Sequence, residues 1–363
     1  MFKHYERVAR TVVLFSGKAK AHGMRTFITI NDRLRPLLTP PAGQRTIVQR
    51  SHYRHYFLPL TLWLLATSWA LNSSAADDVT KNGFLLSNSL IPADEILGGG
   101  PAKDGIPSID SPIFVPANQA THLSADSRIL GVHYNGISKA YPINILNWHE
   151  IVNDHFSSQA ISVTFCPLCG TGIAYITPTN SGDFGVSGLL YNSDVLLYDR
   201  KTESLWSQIR AEAISGPLAG QKLTRIPISH TSWDAWRKRH PATLVLSETT
   251  GFARDYHRDP YRGYVDSKGI YFPIKHQDPR FHPKSRVIGI TIDGHSKAYP
   301  FSALAKTNGN IIDKIGTHSI NIRYSDTDQS AAAFDQHNNE IATITAFWFA
   351  WYAFHPETDV FEP

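Results

Sequence analysis

The sequence predicts a strand-dominated α+β protein, a single compact body built from two internally duplicated units, and three observations carry that prediction. Arg128–Pro142 reads RILGVHYNGISKAYP, and Arg286–Pro300 repeats it as RVIGITIDGHSKAYP. Each copy places an Asn-Gly or Asp-Gly pair (Asn135-Gly136, Asp293-Gly294) between two extended runs, the residues that a two-residue type I′ hairpin turn requires. Each hairpin is followed by a helix-like stretch, INILNWHEIVND or FSALAKTNGNIID, and then by an alternating run, ISVTF (161–165) or INIRY (320–324). Matching LYDRKTESLW (197–206) with AFHPETDVFE (353–362) sets the units at about 112–206 and 270–363, within one domain spanning 112–363. Hairpins of this kind bury one face, so the units are expected to pack together.

The elements follow in chain order. Residues 1–49 are rich in Lys and Arg and lack apolar periodicity; they are expected to be a mis-annotated or disordered extension, with the true translation start near Val48. Residues 50–76 read as a signal peptide: basic residues to Arg54, the 15-residue apolar run Phe57–Leu71, then NSSAA with cleavage after Ala76. That run is shorter than the roughly 20 residues of a membrane helix, so no stable span beyond the signal segment is expected. The mature chain is expected to be periplasmic or otherwise exported, starting with an N-terminal segment at 77–111. Between the units, Gly182–Gln208 holds further strand-like runs, including FGVSGLLYNSDVLLYD. SWDAWRKR (232–239) reads as a short helix capped by Ser232, and YHRDPYRGY (256–264) as a loop.

Composition bounds the function. At 42% apolar and 18% charged the chain is that of a folded globular protein. Its net charge of +4 owes much to the leader, and no basic stripe follows, so nucleic acid is not an expected partner. A periplasmic protein partner stays open.

The two cysteines, Cys166 and Cys169, share the motif VTFCPLCGTG directly after a strand-like run. Three readings stay open. The first is a metal knuckle in which a tight turn aims both thiolates at one ion, with Gly170 supplying the positive φ. The second is a redox pair, Cys166 attacking and Cys169 resolving. The third is a structural disulfide in a non-catalytic ligand-binding or scaffold module; closing so short a loop stabilises by only about 2 kcal/mol. Haem attachment is excluded because Gly170, not His, follows the second cysteine.

A metal needs further ligands, and His149 is the expected third, with Glu150 tuning it. A helix running on to Asp154 covers about 8 Å and the strand back to Phe165 roughly 16 Å, which would bring Cys166 beside His149. The second unit has Thr307 or Asn308 in place of His149, and Ser325-Asp326-Thr327-Asp328 in place of the cysteine motif. One unit would thus carry the site and the other act as scaffold. Thiolate ligands suit Cu(I) or Zn(II). Other candidates are Asp199, Arg200 and Glu203 at a strand end, the loop residues Arg254, Asp255, Tyr256, Asp259 and Tyr261, and His355 in FWFAWYAFHP, where an aromatic core stripe is the competing reading. No nucleophile elbow, H-E-x-x-H pair or phosphate loop is present.

The succession SKAYPINILNWHEIVND, VTFCPLCGTGIAY, FGVSGLLYNSDVLLYDRKTESLWSQ, TGFARDY and FWFAWYAFHPET resembles the domain-of-unknown-function family 3179 over roughly 105–363. The resemblance implies that His149-Glu150, Cys166, Cys169, Asp199, Trp206 and Arg254-Asp255-Tyr256 belong to the family pattern; it implies no reaction. Ser138-Lys139 stands where the family more often has an acidic residue and Arg. The reading reached is an exported metal-binding or thiol-redox protein with Cys166, Cys169, His149 and Glu150 at its centre. Asp199, Trp206, Arg254, Asp255 and Tyr256 are candidate binding residues, and whether the protein is an enzyme stays open.

Overall fold

The computed structural model describes residues 79–363. The basic leader and the signal peptide expected from the sequence lie outside the described residues. Strands dominate. Among the described residues the α-helices are α1 (Ile143–His149), α2 (Trp233–Arg239), α3 (Phe301–Leu304) and α4 (Trp348–Phe354), none longer than 7 residues. The strand dominance expected from the sequence holds, with 41% of the described residues in strands and 11% in helices. Five sheets of four or five strands are arranged like the blades of a propeller, with a small hairpin (Thr80–Lys81, Phe84–Leu85) beside them.

Blade 1 orders its strands Ser229–Ser232, Arg128–Tyr134, Ile137–Pro142, Leu244–Leu246 and Phe114–Pro116. Its central hairpin turns at Asn135 (φ 48) and Gly136 (φ 77), the two positive φ values of a type I′ turn. Blade 2 is Thr224–Ile226, Thr171–Ile176, Gln159–Cys166 and Ile151–Phe156. Blade 3 is Glu212–Ser215, Leu205–Ser207, Asp194–Asp199, Phe184–Tyr191 and Ile96–Gly98. Blade 4 is Ile344–Phe347, Arg286–Ile292, His295–Pro300 and Asp359–Val360, its hairpin turning at Asp293 (φ 47) and Gly294 (φ 81). Blade 5 is Asn310–Ile315, His318–Ser325, Ser330–Phe334 and Glu340–Ile341.

Residue pattern explains where each blade sits. Phe184–Tyr191 is buried at every position, on both faces, so blade 3 lies inside the body. Asn310–Ile315 alternates exposed and less exposed residues, leaving Ile312 78% exposed, so one face of blade 5 meets solvent. The segment 77–111 is not a separate extension over its described part. Ile96–Gly98 pairs with Leu189–Tyr191 of blade 3, and Phe84, Leu86 and Ile91 share a buried cluster with Leu189 and Tyr198.

Blades 1 and 4 repeat one another's contacts. In blade 1 the strand Leu244–Leu246 pairs parallel to Ile137–Pro142, and in blade 4 Asp359–Val360 pairs parallel to His295–Pro300. A seven-residue helix precedes the parallel strand in each. Trp236 of α2 lies against Gly131, where a Cβ would come within 2.4 Å of the indole, and Trp351 of α4 lies against Gly289 at 2.2 Å. Each indole N–H donates to a threonine, Trp236 to Thr243 (2.9 Å) and Trp351 to Thr358 (3.0 Å). Each Trp also packs on a histidine joined to a serine, His240 with Ser138 (3.0 Å) and His355 with Ser296 (3.1 Å). Burying such a Trp stabilises by about 3–5 kcal/mol relative to Ala. The segment 197–206, matched to 353–362 by sequence, lies in blade 3, whereas the contacts that resemble those of 351–360 in blade 4 are made in blade 1 by the segment around Trp236–Leu246.

Candidate functional site

The cysteines lie at the tip of blade 2. Cys166 ends one strand and Thr171 opens the next, paired opposite each other, and between them the Cys169 N–H donates to the Cys166 carbonyl at 3.2 Å. Gly170 takes φ 62, and a Cβ there would stand 2.9 Å from the Phe347 ring. Both the turn and the close approach demand glycine, in keeping with the tight turn expected from C-P-L-C-G. The Cys169 carbonyl accepts from Phe347 N–H (2.8 Å), tying the turn to blade 4.

Facing the turn is a hairpin of blade 3. Asn192 (φ 50) and Ser193 (φ 65) link Tyr191 to Asp194, so a serine occupies the left-handed region in which side chains other than glycine are strained. This turn presents the Ser193 carbonyl to both thiols, 3.9 Å from Cys166 Sγ and 3.3 Å from Cys169 Sγ. It also delivers Asp194. A carboxylate oxygen of Asp194 and the two sulfurs all lie within 4.8 Å of one another, and all three residues are buried. Both cysteines are free thiols.

The electrostatics of this group are those of acidic side chains kept from water. Burial pushes the Asp194 carboxyl up to about 7, against an ordinary 3.8. Asp194 Oδ2 accepts from the Ile209 N–H at 3.0 Å, whereas Oδ1 is buried without a hydrogen bond of ordinary geometry. Burial raises both thiols, with Asp194 adding to the effect and Glu150 adding to it at Cys166. Glu150 itself is pushed up to about 8 by burial and by Asp194. The Tyr264 hydroxyl is buried with no partner and is raised by burial and by the two cysteines.

Glu150 comes to this group through its backbone. It ends α1 with φ 59, and its carbonyl accepts from Phe165 N–H at 2.7 Å. A similar contact occurs before blade 5, where the Gly309 (φ 81) carbonyl accepts from Tyr324 N–H at 2.8 Å. The helix thus stops at His149 and the strand Ile151–Phe156 begins, not at Asp154 as expected, because a left-handed residue breaks the α-helical ladder.

That early stop turns His149 elsewhere. Its Nδ1 is 2.7 Å from the Pro107 carbonyl and its Nε2 is 2.6 Å from the Tyr256 hydroxyl, so both ring nitrogens are engaged. Tyr256 is also 2.5 Å from Thr250 Oγ1. The ligand-distance group contains Asp194 and not His149. Tyr256 is buried, while Arg254 and Asp255 are exposed beside it. Asp255 accepts from His257 N–H, and the Arg254 guanidinium lies 6.0 Å from the Trp148 ring. Asp259 accepts from Tyr261 N–H. His149 and Tyr256 thus form a pair of their own, separate from the cysteines.

Asp199 and Trp206 form a third grouping, joined to one another. The Asp199 carboxylate accepts from Trp206 Nε1 (2.9 Å), Thr202 N–H (2.6 Å) and Thr202 Oγ1. Arg200 reaches Asp104 and Asp110, and Glu203 pairs with Lys103. His355 is pushed down to about 4 by burial and lies on Trp351, as the aromatic core reading expects, rather than near a sulfur.

The residue missed from the sequence is Asp194. Its signal was the Asn-Ser step between two strand-like runs in LLYNSDVLL, a turn dipeptide that places Asp194 at a strand start. Nothing local says that this turn meets the cysteine turn. Among the described residues no helix is long and apolar enough to cross a membrane.

No curated protein and no solved structure matches the chain. A family profile described as "Protein of unknown function (DUF3179)" matches residues 103–342, spanning the cysteine turn, Asp194, Glu150 and the His149–Tyr256 pair. The chain belongs to the DUF3179 family.

Proposed function

We propose that this protein is an exported metal-binding protein whose ion is held by Cys166, Cys169 and Asp194. The observation that carries the reading is the convergence of three buried ligand atoms within 4.8 Å, one of them on a residue whose second carboxylate oxygen, Oδ1, has no hydrogen bond of ordinary geometry. Two thiolates and a carboxylate in a dry interior repel one another, and a divalent cation removes that repulsion. The carboxylate favours Zn(II) over Cu(I), because Zn(II) accepts oxygen as readily as sulfur whereas Cu(I) selects soft ligands. Three protein ligands leave a fourth position, and the buried Tyr264 hydroxyl and Glu150 carboxyl are the further polar groups electrostatically coupled to the site. A thiol-redox role is less well supported: Cys166 is 2% exposed and Cys169 0%, and both thiols are shifted away from the thiolate that attacks.

The asymmetry of the two halves supports the same reading. We infer an internal duplication in which blades 1 and 2 with α1 and α2 correspond to blades 4 and 5 with α3 and α4. The equal strand pairings and the paired Trp–Gly, Trp–Thr and Ser–His contacts support it. Ser325 and Ser330 pair as Cys166 and Thr171 do, so the second half keeps the turn without the sulfurs.

Metal analysis of protein purified from the exported fraction, with thiols counted in parallel, tests the proposal. About one equivalent of zinc is expected in the wild type, lost in Cys166→Ser, Cys169→Ser and Asp194→Asn but kept in His149→Ala. A wild type that stays metal-free after reconstitution with Zn(II) and yields a disulfide on isolation would favour the structural-staple alternative.

A further inference from the structure

The arginines that open the two repeated motifs converge on one place. Arg128 begins its strand in blade 1 and Arg286 begins the matching strand in blade 4. Arg128 Nη2 donates to the Gln329 carbonyl at 2.9 Å, and Arg286 Nη1 donates to the same oxygen at 3.1 Å. Two positive side chains therefore share one neutral acceptor. The other acceptors are also carbonyls: Arg128 Nη1 donates to Asp328 (2.7 Å) and Nη2 to His230 (2.9 Å).

No carboxylate balances this pair. Among the described residues neither arginine has an acidic oxygen within ion-pair distance. Asp328 attracts Arg128, but its Oδ2 is held by Ser325 Oγ at 2.8 Å. Arg286 Nη2 is buried and has no partner, and so is Nδ1 of His230. His230 is kept neutral by burial and by the charges of Arg286 and Arg128. Burial and Arg128 push Arg286 down to about 9, so it still carries its charge at neutral pH. Gln329 is exposed and both arginines are half-buried, so the cluster lies just beneath the surface.

We propose that Arg128, Arg286 and His230 form a binding site for a small tetrahedral oxyanion, such as phosphate or sulfate. Two fixed positive charges match a divalent anion. Donors arriving from three different strands suit a tetrahedral ligand better than a planar carboxylate, which a single guanidinium satisfies. The buried Arg286 Nη2 supplies the free N–H, and His230 adds a donor in its Nδ1–H tautomer. The site is independent of the cysteine group.

Inorganic phosphate is the probe, titrated against the full protein by calorimetry and by thermal unfolding, with sodium chloride at matched ionic strength as the reference and acetate as the planar control. The wild type is expected to bind phosphate saturably, with a Tm that rises as the logarithm of its concentration and with acetate at least tenfold weaker. Arg286→Met is expected to lose the saturable response, keep its metal content and show a Tm in chloride no lower than that of the wild type. Arg128→Gln serves as the second variant if Arg286→Met fails to fold. A wild type whose response to phosphate is no greater than to chloride overturns the proposal without recourse to any variant, and so does a saturable response that survives in either variant.

Discussion

Replacing Asp194 by Asn should have opposite effects on metal binding and on the stability of the metal-free protein. The carboxyl titrates near 7 in the folded chain against 3.8 ordinarily, so between those values the folded state binds the proton that the unfolded state has lost. By linkage the carboxyl's contribution falls as pH rises from about 4 and reaches its full deficit above about 7. At 1.36 kcal/mol per pKa unit the deficit at pH 8 is about 4 kcal/mol. Asn has the same shape, can still accept from the Ile209 N–H and carries no charge. Chelator-treated Asp194→Asn is therefore expected to be more stable than the wild type at pH 8, by up to about 4 kcal/mol, and by only about 1 kcal/mol at pH 4.5. With Zn(II) the order should reverse, because only the wild type keeps the anionic oxygen ligand. Urea unfolding at the two pH values, with and without Zn(II), reads all four states. A metal-free Asn variant less stable than the wild type at pH 8 would refute the claim that burial of this carboxylate outweighs its hydrogen bonds.

Three further outcomes follow from the same geometry. Lys139 and Asp154 form a 2.8 Å pair with side chains 9% and 6% exposed, joined by the Tyr141 hydroxyl; Lys139→Met should cost about 3–5 kcal/mol in unfolding experiments by stranding the carboxylate. The matching Lys297–Asp313 pair is 19% and 20% exposed, so Lys297→Met should cost only about 1 kcal/mol, and equal losses would contradict the burial argument. Gly131→Ala and Gly289→Ala drive a methyl into Trp236 and Trp351 and should each destabilise by about 1–3 kcal/mol. Gly136→Ala, with open space but φ 77, should cost about 1 kcal/mol through the turn alone. Finally, a soluble thiol reagent at neutral pH should label neither cysteine of the folded, metal-free protein while labelling both in denaturant, since burial raises both thiols; rapid labelling of folded Cys166 would restore the redox reading.

The hairpins were legible because their information is local. Asn135-Gly136 and Asp293-Gly294 dictate their turns, Ser232 accepts from Ala235 N–H at the start of α2, and Gly170 is required by the backbone of the cysteine turn. The ending of α1 was misread because INILNWHEIVND keeps a plausible helical pattern through Asp154. Only the left-handed Glu150 interrupts it, and Glu is an ordinary helix former. That error placed His149 beside the sulfurs. Asp194, whose carboxylate does lie beside the sulfurs, is brought in by contact between blades that no sequence period encodes. The mistaken match of 197–206 with 353–362 has a similar origin. Scattered charged and aromatic residues resembled one another, whereas under the proposed duplication the matching residues are Trp233/Trp348, Trp236/Trp351, His240/His355 and Thr243/Thr358, in a segment read only as an isolated helix.

On the proposed duplication, the unequal fates of the two turns have one structural cause. In blade 5, Ser330–Phe334 is joined to Glu340–Ile341 by residues 335–339 alone. In blade 2 the matching strands Thr171–Ile176 and Thr224–Ile226 are separated by residues 177–223, and that insertion holds four of the five strands of blade 3. The Asn192–Ser193 turn that carries Asp194 belongs to the insertion, so the half with the cysteines is also the half with the additional carboxylate. Without the insertion, Ser325–Ser330 has no such hairpin facing it and offers its Asp328 and Gln329 carbonyls to the two arginines. A buried anionic group at one turn and a cationic group at the other are each costly alone. A cation at the first and an oxyanion at the second would remove both costs, and the insertion of blade 3 accounts for why the two needs differ in sign.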